Sequence, residues 1–468
     1  MSLRHRAIFV AVAGLGSLLG FLLASPPLGA QDFSFHEVGT RAASLGGAFT
    51  AKADDISAIY YNPAGLAVLP GLRLKTNLLA SKREVSAYLP QYDVTFTSDP
   101  SEYLQNIFLS WRPAKRIGLG FAYYSPYNAQ TKWLDPRWLY EGVSIMAGMK
   151  THTLRAVAAA EVLKGLSIGV TLDYVTVGVD WKHMIRFEPA NYELEPEATE
   201  VRSNYELSGH AWGFAAGVLW QPVPALQVGA RFQAATTVDL QGSNSFSFSM
   251  SSMQDYVPDP YMTARPLADV LDDFYRGQLV TARLTVPQEI ALGIALTPVR
   301  PLSLYLDLQW DTWSRIGSWE FRSVKADEDL TPLFTEVYQE FWGIQPNYGT
   351  QGETLALRDT MKLKVGAEYR LGRWFAVRAG FARQESSLET SDVSPLFPDL
   401  ARNIYAIGGG YEGPLFSIYE EDRAIGELSI EIALRYSPAR STTSTLPGLE
   451  MTYASERWSV GVGVGFNF

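Results

Sequence analysis

The chain contains no cysteine. That excludes a disulfide framework, a zinc-thiolate site and a cysteine nucleophile. Histidine is almost as scarce, with five in 468 residues, and His5, His36, His152, His183 and His210 lie in different segments. HExxH and other metal-ligand spacings do not occur, so neither a metal nor a cofactor is expected. Positive charge is also short: Lys and Arg number 39 against 49 Asp and Glu, a formal net charge of -10. Phosphate neutralisation supplies most nucleic-acid affinity, so an acidic chain without a basic stripe excludes nucleic acid as a partner. Beyond the first 30 residues, every long window is broken by charges or by strict alternation, which excludes a membrane-spanning helix there.

Residues 1–30 read differently. Arg4 and Arg6 precede an apolar run from Ala7 to Ala24, followed by Pro26-Pro27-Leu28-Gly29-Ala30. A basic start, an apolar core and a small exit residue predict a secretory signal peptide cleaved after Ala30. Such a chain leaves the cytoplasm.

What the remainder does contain is aromatic residues, 13% of the chain, and 39 glycines. Aromatics suit a pleated surface, and glycine suits turns and crowded interiors. Alternation is strict. From Arg457 to Phe468, Trp458, Val460, Val462, Val464, Phe466 and Phe468 oppose Ser459, Gly461, Gly463, Gly465 and Asn467. The same period of two separates Leu302, Leu304, Leu306, Leu308 and Trp310 from Ser303, Tyr305, Asp307, Gln309 and Asp311. A soluble sandwich would also alternate. Here the oily faces hold almost no charge, and a charge facing lipid costs about 2–4 kcal/mol at mid-depth.

Strands are predicted near 72–89, 103–112, 116–124, 149–163, 166–181, 203–221, 226–243, 279–297, 301–322, 353–370, 373–386, 402–413, 426–439 and 457–468. Their connections alternate short and long, as at the two ends of an outer-membrane barrel. The fold class is therefore all-β: an antiparallel transmembrane β-barrel of about 14 strands in a Gram-negative-type outer membrane.

Residues 39–65, just before the first strand, are rich in Gly, Ala and Ser, and Asn62-Pro63 is a turn signal. Composition leaves two readings, a surface loop or a plug threaded through a confined space. In two long loops, Leu267, Val270, Leu271 and Phe274 share one helical face, and Leu330, Leu333, Phe334, Val337 and Phe341 another. These faces pack the rim or form an apolar groove.

Sites for covalent chemistry are weak. His152 and His210 on neighbouring strands would be needed for a barrel hydrolase, but structural histidines are far commoner. Asp54-Asp55, Asp272-Asp273 and Glu420-Glu421-Asp422 complete no calcium loop, and the glycine runs near 408 and 461 open no phosphate-binding helix. The inward charges say more. Arg231, Lys362, Lys364 and Arg378 share polar faces with Asp173, Asp307, Glu368 and Glu431, which predicts lumenal salt bridges, and Arg322 is a further candidate. A lone cation among apolar side chains would instead hold a ligand carboxylate.

Several of these segments resemble the FadL/TodX-type outer-membrane transporters of hydrophobic compounds. The likeness rests on Phe33, Gly39-x-Arg41, Ala53-Asp54-Asp55, Ser57 and Asn62-Pro63-Ala64, on Val286-Pro287, Leu292-Gly293, Leu304 to Asp307 and Trp313-Ser314, and on Gly366-Ala367-Glu368-Tyr369 with Arg378-Ala379-Gly380-Phe381. It spans essentially the whole mature chain, and the aromatic end, Phe468, fits recognition by the barrel assembly machinery.

The resemblance implies a monomeric barrel closed by an N-terminal hatch over residues 31–71, with the barrel itself over 72–468. Its function would be passive, ligand-gated transport of long-chain fatty acids or aromatic hydrocarbons, with no cofactor and no enzymatic step. Hydrophobic small molecules, outer-membrane lipid and lipopolysaccharide would be its partners. By position, Asp54, Asp55, Asn62, Pro63 and Ala64 would hold or gate the hatch, and Phe33 and Phe35 would approach the inner pocket. Gly118 and Gly120 would mark a lateral exit on the third strand. The head-group residues do not align, so Arg231, Arg322, Lys364 and Arg378 rest on strand parity alone. A barrel lipase or protease and a general porin are the alternatives.

Overall fold

The computed structural model describes residues 37–98, 101–133, 144–186, 200–248, 256–258, 264–266, 278–315, 319–324, 350–353, 357–389, 393, 398–416, 424–444 and 450–468. Residues 1–30, where a signal peptide is expected, Phe33, Phe35 and both expected amphipathic loop faces, including Leu267, Val270, Leu271 and Phe274, lie outside the described residues.

Among the described residues, fourteen wall strands form one closed antiparallel barrel. They are β1 (Leu72–Leu89), β2 (Val94–Ser98 and Ser101–Ala114), β3 (Ile117–Tyr124 and Asn128–Lys132), β4 (Ser144–Leu163) and β5 (Leu166–Arg186). Next come β6 (Glu200–Val223), β7 (Leu226–Gln233 and Thr236–Phe248), β8 (Gln278–Val286 and Glu289–Val299), β9 (Leu302–Asp311 and Trp319–Val324) and β10 (Thr350–Glu353 and Thr360–Leu371). The last four are β11 (Phe375–Gln384), β12 (Arg402–Phe416), β13 (Ala424–Thr443) and β14 (Thr452–Asn467). β14 pairs with β1 from Arg73↔Asn467 to Tyr88↔Thr452, which closes the wall.

Each predicted strand is present, and several run further than expected. β4 begins at Ser144 and β6 extends to Val223. The turns at Lys164-Gly165, Pro224-Ala225 and Arg300-Pro301 mark the short-turn end, taken here as the lower end. On the lower half of the wall, the predicted oily faces point outward. Leu172, Phe214, Leu292, Ile294, Leu306 and Val462 are all exposed there, as an apolar band against lipid requires.

The inner face has three tiers, which β5 shows in order. Gly169 lies lowest, Asp173 above it, and Val175, Val177, Val179 and Trp181 highest, all pointing inward. Above Tyr174 the amphipathic sense of the strand reverses: the apolar side faces the lumen, and Thr176, Gly178 and Asp180 face out. Other strands repeat the order. β7 runs Gly229, Arg231, Val238, Leu240, and β8 runs Gly293, Glu289, Leu284, Val280. The uppermost side chains form one buried apolar cluster with Val85, Tyr205, Leu207, Phe321, Met451 and Tyr453. The upper lumen is therefore oily, where the sequence predicted a polar interior.

Candidate functional site

Below the apolar tier, residues 37–67 lie inside the barrel and are almost wholly buried. Two short helices, Thr40–Ser44 and Ala58–Tyr61, and a 3-10 turn, Pro63–Ala67, shape this segment. Asn62 caps the turn, its Oδ1 accepting from the Ala64 N–H at 3.2 Å, and Pro63 occupies the first position, where a missing N–H costs nothing.

The segment follows inward-facing glycines along the wall and, between Ala51 at β7–β8 and Asn62 at β6, reaches back across the lumen to Asp55, which pairs with Lys75 of β1. Thr40 lies against Gly463 of β14, Ser44 against Gly408 of β12, and Leu45 against Gly380 of β11 and Gly366 of β10. Thr50 and Ala51 then meet Gly293 of β8 and Gly229 of β7. Asn62 and Pro63 rest on Gly217 of β6, Ala64 on Gly169 of β5, and Leu66 on Gly118 of β3. A β-carbon at most of these positions would overlap the segment's own backbone, so glycine is required for the approach.

Ion pairs bolt the segment to this track. Arg41 donates from Nε and Nη2 to the two Glu368 oxygens, both at 3.1 Å, while Arg378 approaches Glu368 at 2.7 Å from the neighbouring strand. Arg41 also pairs with Asp54 at 3.2 Å. Asp307 accepts from the backbone N–H groups of Phe49 and Thr50 at 2.8 and 2.7 Å. Lys75 bridges Asp55 and Glu431 at 2.8 and 2.6 Å. Burial pushes the Asp55 carboxyl up, but Lys75 and Arg41 more than offset it and hold the group well below the usual carboxylate range.

A second set of contacts holds the far half. Arg155, paired with both oxygens of Asp173 at 2.7 and 2.6 Å, donates to the Ile59 carbonyl at 3.2 Å. Arg231, paired with Glu289, donates to the Tyr60 carbonyl at 3.0 Å. Asn62 Nδ2 donates to the carbonyls of Thr50 and Val218, each at 2.9 Å, tying two stretches of the segment to β6.

The wall carries a discontinuity beside this segment, and among the described residues a second gap in the ladder lies between β6 and β7, at Gly209 to Phe214. β3 breaks at Ser125-Pro126-Tyr127, where proline cannot donate to the ladder. Below the break, β3 pairs with β2 up to Ile107↔Tyr123. Above it, Asn128–Lys132 pairs with β4 alone, and among the described residues Ser101–Asn106 pairs only with β1. Six residues at the rise of a strand leave an unpaired edge about 20 Å long. Lys132 N–H to Ser98 Oγ, 3.2 Å, closes the top. Gln105 Nε2 and Asn106 Oδ1 on this edge are buried without a hydrogen-bond partner, a cost that solvent or a passing molecule would relieve. Tyr127 turns inward at the break, and its hydroxyl donates to Glu289 at 2.6 Å.

With this geometry in place, comparison with known proteins is informative. The family of outer membrane protein transport proteins (OMPP1/FadL/TodX) matches residues 26–415. The chain belongs to this family. Alkane uptake protein A of Marinobacter nauticus is 25% identical over 357 residues, covering 72% of this chain and 69% of that protein. The fold matches a crystal structure of a Pseudomonas aeruginosa FadL homologue with a TM-score of 0.72 at 16% identity, over 95% of this chain and 100% of that one. It matches the Ralstonia pickettii toluene transporter TbuX at 0.65 and 15%, over 93% and 100%.

The segments that carried the FadL/TodX resemblance prove to touch one another. Arg41 of Gly39-x-Arg41 meets Glu368 of Gly366-Ala367-Glu368-Tyr369 and, through it, Arg378. Of the head-group candidates, Arg231 and Arg378 are each committed to a buried carboxylate. Lys364 donates to Gln309 at 3.0 Å and lies 3.6 Å from Glu37. Arg322 is exposed, whereas its neighbour Phe321 faces the lumen. Gly118 and Gly120 sit below the break against Leu66 and Ile59, both paired with β4 and Gly120 also with Ser110 of β2, and the unpaired edge lies higher on the same strand. His152 and His210 both face outward, beside Tyr123 and Tyr174.

Sequence reasoning read the glycine runs near 408 and 461 as thin wall beside a plug but missed the rest of the glycine track and the break at Pro126. The Ser125-Pro126 pair inside an otherwise regular strand was the available signal for the break.

Proposed function

We propose that this outer-membrane protein transports hydrophobic compounds passively, and that residues 31–71 act as a ligand-gated hatch. A molecule enters the apolar upper lumen and displaces the hatch from its ionic anchors. It then leaves through the unpaired edge between β2 and β3. The alkanes and toluene in the names of the relatives fall within the class that such a lumen would accept.

The observation that carries this reading is the stacking of tiers. An oily compartment lies above a segment held mainly by ion pairs and hydrogen bonds, with an open wall edge beside both. Apolar solutes gain about 25 cal/mol per Å² on entering the first, and the second holds directional bonds that a modest shift breaks all at once.

The test is planar-bilayer conductance. Intact protein is expected to be nearly silent to ions, and protein lacking residues 31–65 to conduct as an open channel. A large steady conductance from the intact protein would instead indicate a general porin.

A further inference from the structure

We infer that the outer surface of the upper wall, around Gly178 and Asp180, holds a groove that binds a sugar chain through its hydroxyl groups. The groove lies on the opposite face of the wall from the lumen and does not depend on what the lumen carries. Above Tyr174 the polar side of β5 faces out. There the strands from β3 to β8 enclose a hollow of about 700 Å³, and small-ligand sites span about 300–1,000 Å³. Part of its floor is bare backbone at Gly148 and Gly178, and a β-carbon added at Gly178 meets nothing within 4 Å. The hollow stands just outside the lipid. On the outer surface Tyr174 packs against His210 and Trp212, with ring centroids 5.4 and 5.2 Å apart, and Tyr123 stacks on His152. Such rings girdle the edge of the apolar band. Glu206 lies four residues above His210, about 13 Å at the rise of a strand. The groove therefore clears the lipid and faces the sugar layer of the lipopolysaccharide. A free oligosaccharide presents the same hydroxyls.

The lining fits hydroxyls better than an anion or a hydrocarbon. Lys150, Ser208, Gln241 and Ser243 supply donors, and Asp180 and Glu206 supply acceptors. Among these lining residues two carboxylates stand against one ammonium, which disfavours a phosphate or a carboxylate. Leu279 is the one exposed large apolar side chain in the lining, too little surface for a hydrocarbon. Asp180 and Glu206 lie directly opposite each other on β5 and β6, where like charges repel. Asp180 Oδ1 is buried without a hydrogen-bond partner. On β3, Asn128 pairs with Lys150, is 8% exposed and also leaves its Oδ1 without a partner. Buried acceptors without donors are costly. Adjacent hydroxyls on a sugar ring donate to both carboxylates at once, and charge-assisted bonds of this kind are the strong ones.

The experiment titrates the full mature protein in detergent, by calorimetry, with two probes: lipid-free, dephosphorylated core oligosaccharide cut from lipopolysaccharide, and maltotetraose. Wild type should bind at least one. Binding of the core oligosaccharide alone assigns the groove to the surrounding lipopolysaccharide, and binding of maltotetraose to free sugars as well. Asp180→Ala should weaken binding by about ten- to a hundredfold, the range for one hydrogen bond to a charged group. Gly178→Trp, which fills the hollow, should weaken it by about tenfold or more. Thr237→Trp, on the same outer surface but outside the groove, should bind as wild type does. Heat-modifiable gel migration checks that each variant is folded, and should Gly178→Trp fail to fold, Asp180→Ala decides. Binding of neither sugar by wild type, or wild-type affinity in a folded Gly178→Trp or Asp180→Ala, would overturn the inference. An equal loss in Thr237→Trp would mark the binding as non-specific and overturn it too.

Discussion

The upper and lower lumen are built from the same strands, yet they solve opposite problems. Above, Val175, Val177, Leu240 and Leu284 face inward with nothing directional to offer a neighbour. Below, Glu368, Asp307, Asp173 and Glu289 each bind the N-terminal segment or a cation that does. Apolar contact tolerates many partners, whereas a buried carboxylate accepts very few geometries. The difference explains how one barrel can hold its own segment in a single position and still admit molecules of varied shape.

The largest expected effect comes from Glu368→Leu. It strands Arg41 and Arg378 without their shared carboxylate, and breaking a buried pair from one side costs about 3–5 kcal/mol. Bilayer recordings should then show the lower tier opening with no ligand present. If Glu368→Leu stays silent and equally resistant to protease, the ion pairs do not hold the segment.

Gly380→Val is expected to act less strongly. Its side chain would overlap the backbone of Leu45 and Gly46, an overpacking of about 1–3 kcal/mol. Cleavage within residues 37–67 by added protease should rise. Gly178→Val serves as the matched control, since a β-carbon there meets open space.

Val177→Asn should do least to the barrel and most to the distinction between tiers. An amide in the oily compartment weakens apolar binding by about 1–3 kcal/mol, read as reduced uptake of a labelled hydrocarbon into cells. Resting conductance should not change. A rise in conductance would mean that the tiers are not separable.

Much of this was legible in the residues. The period of two located all fourteen strands, because a one-residue slip would turn Leu304, Leu306 and Leu308 away from lipid. The inversion above Tyr174 was also present, as Val175-Thr-Val-Gly-Val179 following Ile168-Gly-Val-Thr-Leu172. Reading each strand as having one fixed oily side concealed it. Pairings such as Arg41 with Glu368, 327 residues apart, follow from barrel closure, which no local pattern encodes. Parity likewise put Arg231 and Arg378 inside without saying that each already had a partner.

The route of the N-terminal segment along the glycine track has a consequence for assembly. Thr40 donates to Asn77 on the first strand and abuts Gly463 on the last, so residues that leave the ribosome early find their places only once the final strand has arrived. The wall must close around a segment already inside it. Contacts of such sequence separation are slow to form, because the chain entropy of the whole loop is lost before any of them is made. The segment and the β1–β14 seam should therefore mature together, and a barrel that closed first would have shut its own N-terminal segment outside.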